Sequence, residues 1–318
     1  MNNENKTYIE TYDSKIDLFE VLHFAWKKKI FIISLTSLFT LISIVYSLFL
    51  PNIYISSALL TTTDQNKSNM GMLSQYSSMA SLAGISIPSN EDNKTLEAIE
   101  RIKSFDFFNE VFLPSILLED LMAVDSWNSD DNSLKYNDKH YDSNAQKWVR
   151  KVSYPKFTKP SAQEAFDEYK NIMTISKNKS FIRLSIKHQS PYIAQKWTEL
   201  IVENINKLMA EEDKKRTSQS ISFLNNQASK VNYEEVKQAI SLLLQEQMKA
   251  LMLAEANEDY IFKTVSSPIA PELKSEPKRS LIVILASLGG FFLSLTIVFV
   301  FQYIKGNFKE FLIETKNH

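Results

Sequence analysis

The sequence has no cysteine and only five glycines among its 318 residues. Without cysteine the chain cannot form a disulfide, a cysteine-ligated zinc site, an iron–sulfur cluster or a thiol nucleophile. The glycines do not have the spacing of the common phosphate-binding loops, G-x-x-x-x-G-K-[ST] and G-x-G-x-x-G. They lie at Gly71, Gly84, Gly289, Gly290 and Gly306. These absences exclude several large classes of enzyme.

Charge and histidine placement exclude further classes. The 36 Lys and Arg residues balance 37 Asp and Glu residues, so net charge gives no general reason to bind nucleic acid. The four histidines are far apart and lack metal-ligand spacing. Adjacent acids such as Glu211-Glu212 and Glu234-Glu235 do not share a helix face. We therefore expect no catalytic residue, no metal and no cofactor, and predict that the protein is not an enzyme.

Two long uncharged segments stand out, residues 30–50 and residues 281–304. The first, as a helix, would be about 32 Å long, which matches the hydrocarbon core of a bilayer. Buried core helices seldom remain uncharged on every face over such a length. The first segment also lies too far from the start, and is too long, for a cleaved signal peptide. The sequence predicts two transmembrane helices.

Basic residues beside the two spans predict their orientation. Lys27, Lys28 and Lys29 precede the first span, and Lys305 and Lys309 follow the second. Lysine and arginine concentrate in cytoplasmic flanks, so both ends of the chain are expected in the cytoplasm. Lys278 and Arg279, directly before the second span, lie on the opposite flank and weaken this contrast.

This orientation divides the chain into five parts. A cytoplasmic segment (1–29) and transmembrane helix 1 (30–50) precede an external domain (51–280). Transmembrane helix 2 (281–304) and a cytoplasmic tail (305–318) follow it. Neither cytoplasmic part is long enough for a kinase or signalling domain. The external domain is therefore expected to carry the function.

The external domain has patterns of both strands and helices. Strand-like stretches cover 53–63 and 259–265, and a hairpin covers 171–188. A helix is predicted from Pro191 beyond Ser220, and a second over 233–256. We predict an α+β membrane protein: an α/β membrane-proximal platform with a long helical arm.

Three other stretches of this domain are less regular in pattern. Residues 94–112 have apolar side chains at helical spacing. Residues 125–147 are a polar, partly irregular excursion that we interpret as solvated surface. Residues 70–87 are small and uncharged, and either pack on the core or meet a neighbouring subunit.

Small and hydroxyl side chains form one stripe on each span. Small residues let transmembrane helices approach closely, whereas hydroxyls also bond to their own helix backbone. We predict that the two spans pack through these stripes. The stripes are Ala286, Gly290 and Ser294 on the second span, and Thr36, Thr40, Ser43 and Ser47 on the first.

A proline-rich motif leads into the second span. It contains Pro268, Pro271, Pro277, Lys278 and Arg279. With the glycines of that span, and with SLAGI at 81–85 and SIKHQSPYIAQKW at 185–197, it resembles the Wzz-type chain-length determinants, the polysaccharide co-polymerases of bacterial surface glycans. That family often has Ser before the Pro-Lys pair, and this chain has Glu276.

The resemblance implies a function and partners. It implies a homo-oligomeric ring in the bacterial inner membrane, which acts with a membrane-embedded glycan polymerase on a lipid-linked polysaccharide such as lipopolysaccharide O-antigen. The ring would regulate the length of the glycan without catalysis. Because the chain shows no ATP-binding domain, it resembles the kinase-independent type. Nothing in the sequence indicates nucleic acid as a partner.

Other functions remain open on the residues alone. A two-span periplasmic sensor would need a cytoplasmic partner, and the short tails count against it. A periplasmic glycan enzyme would need a catalytic carboxylate, and no residue is nominated. A transport adaptor is favoured only by the helical arm.

Overall fold

The computed structural model describes Trp26, residues 28–63 and residues 91–314. The predicted packing or partner surface at 70–87 lies outside these residues.

The chain forms two units, one of residues 1–50 and 277–318 and the other of residues 51–276. The helices are α1 (Lys29–Phe49), α2 (Glu91–Ile102), α3 (Phe105–Phe107), α4 (Leu118–Met122), α5 (Ala162–Ile172), α6 (Pro191–Ala228), α7 (Glu234–Ala256) and α8 (Arg279–Glu314). The strands are β1 (Tyr54–Thr62), β2 (Val124–Asn128), β3 (Ser133–Tyr136), β4 (Tyr141–Asp142), β5 (Lys147–Trp148), β6 (Met173–Asn178), β7 (Phe181–His188) and β8 (Phe262–Ser266).

The first unit contains the two apolar helices. Within α1 and within Arg279–Phe301 of α8, only 17% of the most apolar window is buried. A core helix of a water-soluble protein would be mostly buried, so exposed apolar surface on this scale fits a lipid environment. By length and composition both helices can cross a membrane. The second helix continues beyond the predicted span of 281–304, to Glu314.

The second unit is built on a four-stranded antiparallel sheet in the order β6-β7-β1-β8. The register of β1 with β7 runs from Tyr54 opposite His188 to Thr61 opposite Phe181. Alternate side chains of both strands are buried, as expected for a sheet with one covered face. The fold class predicted from the sequence, α+β, is confirmed.

Helix α6 covers that buried face. Its side chains Trp197, Ile201, Ile205 and Met209 are no more than 3% exposed and belong to the same apolar cluster as the strand residues. Asn206, within this row, is buried as well. Its side chain donates to the carbonyl of Phe262 and accepts from the amides of Ile261 and Phe262 at 2.8–3.0 Å. A buried amide is stable there because these bonds satisfy it.

An aromatic group forms the other side of the core. Its members are Phe107, Phe108, Phe112, Tyr169 and Trp197. The helical spacing at 94–112 is interrupted, because α2 ends at Ile102 and Ser104 starts a new turn by accepting a hydrogen bond from the amide of Phe107. A π-helical turn at 108–112 follows. The interruption turns the phenylalanines toward Tyr169 of α5, a helix the sequence did not indicate.

The polar stretch at 125–147 is more regular than predicted. It contains the hairpins β2–β3 and β4–β5. Tyr136, Tyr141 and Trp148 stack edge to face, with ring centroids 5.5 and 5.3 Å apart. The two hairpins were not predicted, whereas the prediction of a polar, solvated surface agrees with the mostly exposed residues of this stretch.

The long helical arm is present. Helix α6 has 38 residues and α7 has 23, which pack on each other in part through Leu224, Ile240 and Leu243. At 1.5 Å per residue α6 is about 57 Å long.

Buried Asp213 lies where α6 leaves the main core, and it accepts hydrogen bonds from Lys94 at 2.7 Å and Tyr260 at 2.6 Å. Burial alone would raise the pKa of Asp213, but these two donors outweigh it and lower the pKa.

His188 connects the end of β7 to the start of α6. Its Nδ1 accepts from the amide of Ser190 at 2.9 Å, and its Nε2 lies 3.0 Å from the carbonyl oxygen of Asp120. A neutral ring with its proton on Nε2 satisfies both contacts. Ser190 in turn caps α6, since its Oγ accepts from the amide of Ile193. Burial lowers the pKa of His188, so the neutral ring is favoured in the folded protein.

We predict that the folded protein loses stability in mild acid through His188. Because the pKa is lower when folded, this contribution is fully present above the unfolded value of 6.5 and is lost as the pH falls toward the folded value. Thermal unfolding of the full-length protein in detergent, from pH 8 to pH 5, should show a smaller acid-induced fall in melting temperature for His188→Asn than for the wild type. The exposed His140 supplies the matched control, His140→Asn. Identical falls in both variants would contradict the prediction.

Candidate functional sites in the helix pair and the proline-rich stem

The contact between α1 and α8 contains most of the residues predicted to pack the two spans. On α8, Gly290, Ser294 and Val298 are buried at intervals of four residues. On α1, Ser43 and Ser47 are 6% and 2% exposed. Ala286, Thr36 and Thr40 are half-buried. Small and hydroxyl residues thus lie on the facing sides of two otherwise exposed apolar helices.

A hydrogen bond between two hydroxyls joins the helices within their apolar stretch. Thr40 Oγ1 lies 2.9 Å from Ser287 Oγ. Each hydroxyl also lies within bonding distance of a carbonyl of its own helix, that of Thr36 and that of Val283. Since each has one proton, one hydroxyl donates across the interface while the other donates to its own backbone. Ser43 and Ser294 donate within their own helices.

Gly290 is a point of close approach between the two helices. A Cβ atom built on Gly290 would lie 2.8 Å from Cβ of Phe39 and 3.2 Å from its Cγ. A Cβ on the neighbouring Gly289 would meet nothing within 4 Å. Phe39, Ser287 and Val298 were not among the predicted residues. Ser287 extends the small-residue stripe and could have been found, whereas no pattern distinguished Phe39 from the other phenylalanines of α1.

We define the stem as residues 267–276, the part of the proline-rich motif that belongs to the second unit. Two sets of hydrogen bonds join it to the start of β1. Ser56 Oγ donates to the carbonyl of Ile269 at 2.8 Å. Ile53 donates its amide to Glu276 at 2.9 Å and accepts from the amide of Ser275 at 2.8 Å. Pro268 is buried and Pro271 half-buried.

Glu276, where the resembled family often has Ser, has two roles. Its backbone pairs with Ile53, and its carboxylate accepts from Lys187 Nζ at 2.7 Å. The Lys187 and Glu276 side chains are 33% and 45% exposed, so this ion pair is worth less than about 1 kcal/mol. The ladder contact is the stronger tie between the stem and the sheet.

The rest of the motif belongs to the helix pair. Pro277 is half-buried and Lys278 exposed, directly before α8. Arg279 Nη2 donates to the carbonyl of Leu50 at 3.4 Å. The last carbonyls of a helix lack partners within it and carry partial negative charge, so a guanidinium is favourable there. Arg279 thereby joins the end of α1 to the start of α8.

The described residues do not contain a cluster of three or more His, Asp or Glu side chains able to hold a metal ion. The chemistry available in the helix pair and the stem is packing, hydrogen bonding and ion pairing. These arrangements define a protein in which one apolar helix precedes an α+β unit in the sequence and another follows it.

A family model matches residues 14–113, and its description is Wzz, chain length determinant protein. The match includes α1, β1 and α2. The resemblance to the Wzz-type chain-length determinants, predicted from the sequence, is confirmed by this match. No curated protein matches the chain at a significant level.

Two solved structures of polysaccharide co-polymerases are similar to this chain. One is a full-length bacterial polysaccharide co-polymerase, 15% identical, with 91% of this chain and 99% of that chain covered and a TM-score of 0.40. The other is a fragment of WzzB, the polysaccharide co-polymerase from Salmonella Typhimurium, 14% identical, with 71% and 100% covered and a TM-score of 0.29. Because both TM-scores are below 0.5, neither structural likeness supports a further conclusion.

We predict that Gly290→Ala weakens the helix pair and Gly289→Ala does not. The added methyl group at position 290 would overlap Phe39, at a cost of about 1–3 kcal/mol. At position 289 it meets open space, and alanine is the better helix former by about 1 kcal/mol.

An engineered disulfide measures this difference. The chain has no native cysteine, so Thr40→Cys with Ser287→Cys introduces the only possible pair. In oxidised membranes the full-length protein should form the intrachain disulfide in high yield. The yield should fall with Gly290→Ala and remain with Gly289→Ala. Equal yields in the two glycine variants would disprove the role of Gly290, and no disulfide in either background would disprove the pairing itself.

Proposed function

We propose that the protein regulates the chain length of a bacterial surface polysaccharide, such as lipopolysaccharide O-antigen, and does so without catalysis. The family-model match over residues 14–113 carries this proposal. It is supported by the α+β unit of residues 51–276, whose two ends lead directly into the apolar helices α1 and α8.

The protein acts from the bacterial inner membrane. Helices α1 and α8 cross the bilayer as a pair, with 30–50 and 281–304 as the spans, 1–29 and 305–318 in the cytoplasm, and 51–280 in the periplasm. The exposed apolar surface of both helices supports insertion. The hydrogen bond between Thr40 and Ser287 and the close approach at Gly290 support pairing of the two helices within lipid, where polar groups and small residues favour helix association.

The working form is a homo-oligomeric ring. A closed ring follows when each subunit repeats one head-to-tail contact. The helical hairpin of α6 and α7 supports such a contact, because Phe223, Met248 and Met252 are exposed on it, at 40%, 49% and 61%. Apolar side chains on an extended arm are suited to a partner surface.

The ring determines length by its association with the glycan polymerase and its lipid-linked product. Extension continues while the ring retains both, and ends when the polymer is released or transferred. The contribution of this chain is position and contact: the sheet and stem hold the arm, and the helix pair holds the whole unit at the membrane. No bond is made or broken by its side chains.

Deletion of the gene tests this function. Surface polysaccharide from the deletion strain, separated on a gel, should still contain polymer but should lose its preferred length, and the intact gene should restore it. A deletion strain with no polymer would indicate an enzyme, and one with polymer retained inside the cell would indicate a transport adaptor. An unchanged length distribution would disprove the proposal.

A further inference from the structure

An open cavity of about 700 Å³ lies beside the β4–β5 hairpin of the second unit. This volume is within the range of roughly 300–1,000 Å³ that is typical of small-ligand sites. None of its lining belongs to the helix pair or the stem. The residues that line it include Glu119, Gln146, Lys147, Trp148, Thr158 and Lys159.

The wall of the cavity combines one aromatic plane with polar groups. Trp148 is half-buried, with its ring held edge to face on Tyr141, which is 6% exposed. Its indole N–H makes no hydrogen bond within the part of the chain that the structure describes. Tyr141 donates to Glu119 Oε1 at 3.3 Å, which leaves the other carboxylate oxygen of Glu119 available as an acceptor.

The rim of the cavity is cationic. From Lys147 to Gln163 the sequence has lysines and an arginine but no acidic residue. Lys147 and Lys159, both lining residues, are in no ion pair with another described residue, in contrast to Lys156, which lies 3.6 Å from Glu164. Unpaired ammonium groups beside a cavity attract an anionic ligand.

Arg150 fixes the shape of the cavity. Its guanidinium forms a two-point ion pair with Glu164, and both side chains are largely buried, at 10% and 17% exposure. The same group donates to the carbonyls of Thr158 at 2.8 Å and Phe157 at 2.6 Å. These four bonds fold the segment after β5 back, so that Thr158 and Lys159 face the same cavity as Trp148. The lining is thus set before a ligand arrives, which lowers the entropic cost of binding.

These features match one class of ligand. A sugar ring has an apolar C–H face, which packs on an aromatic plane, and hydroxyls, which need both donors and acceptors around them. Trp148 offers the aromatic plane, and Glu119 offers a hydrogen-bond acceptor. Gln146 and Thr158 can each donate and accept hydrogen bonds. The two free lysines add a preference for a carboxylate on the sugar. An open cavity also suits a polymer, of which only one or two units are held at a time.

We propose that this cavity is a glycan-binding site, in which Trp148 stacks on a carboxylate-bearing sugar unit and Lys147 and Lys159 bind its carboxylate. The inference rests on the proposed function, because the polymer whose length is regulated is the ligand. It adds a direct contact between this chain and that polymer.

Binding to the full-length protein in detergent tests the site. The probe is surface polysaccharide released from the bacterium that carries the protein, labelled at one end, with fluorescence anisotropy as the readout. Trp148→Ala should weaken binding about tenfold, because stacking on the ring is lost. Trp148→Phe, which keeps an aromatic plane, should retain most of the affinity. Tyr154→Ala is the matched control, since Tyr154 is 91% exposed and does not line the cavity.

The preference for an acidic sugar is tested by chemical reduction of the carboxylates of the same polymer. Lys147→Gln with Lys159→Gln should weaken binding of the native polymer about tenfold and leave binding of the reduced polymer unchanged. The exposed Lys135 and Lys139, changed together to Gln, supply a control of equal charge. A polymer without carboxylates, or equal loss in both double variants, would overturn this assignment.

Cells that carry Trp148→Ala allow the glycan-binding site and the proposed function to be tested separately. The inference predicts a changed length distribution, with the protein present at wild-type level. If Trp148→Ala binds the polymer as the wild type does, the site is wrong, and the proposed function stands as long as deletion of the gene alters length. If deletion does not alter length, the proposed function fails whatever the binding results.

Discussion

The hydrogen bonds of β1 hold together parts of the chain that are far apart in sequence. Strand β1 begins a few residues after α1 and lies between β7 and β8 at the inner part of the sheet. Its partner β7 leads directly into the long helix α6, and β8 leads through the stem toward α8. Ser56 and Ile53 add contacts to the stem itself. The two ends of the second unit therefore meet at one strand, and without that strand neither the arm nor the stem has a fixed base.

The polar groups of the core are engaged in structure: Asn206 satisfies the backbone of β8, Asp213 binds Lys94 and Tyr260, and His188 fixes the start of α6. The groups left available are at surfaces. They are the exposed apolar positions of the arm and the aromatic, cationic cavity beside β5. Both are suited to binding a partner, one of protein and one of glycan.

Elements with a strong periodic pattern could be predicted from the sequence. The apolar helices, the central strand, the hairpin and the two-helix arm were predicted in type and near position, because apolar spacing decides burial over many residues. Short elements were missed, since two-residue strands such as β4 and β5 have no measurable period. The turn of the β6–β7 hairpin lies at Lys179–Ser180, within the predicted hairpin of 171–188, with Lys179 at positive φ.

Pairings that depend on tertiary structure could not be predicted. The small-residue stripe identified Gly290, but the sequence does not show that Phe39 is opposite it. Likewise the sequence showed that Glu276 stands where the Wzz-type proteins often have Ser, but it did not show its partner. Lys187 is 89 residues away and comes near only through the sheet. The cavity beside Trp148 combines α4, β5 and the segment after β5, and its cationic rim has no recognised motif. The local sequence pattern predicts which residues are buried, but which residues contact each other is decided only by the tertiary fold.

The proposed function requires that two paired apolar helices hold the unit of residues 51–276 on the outer side of the inner membrane. Because the chain lacks cysteine, a single Ser218→Cys gives one reactive thiol at an exposed position of the arm. A maleimide that cannot cross membranes should label this thiol in intact spheroplasts, and lysis should add little further label. Labelling only after lysis would place the arm in the cytoplasm and contradict the account.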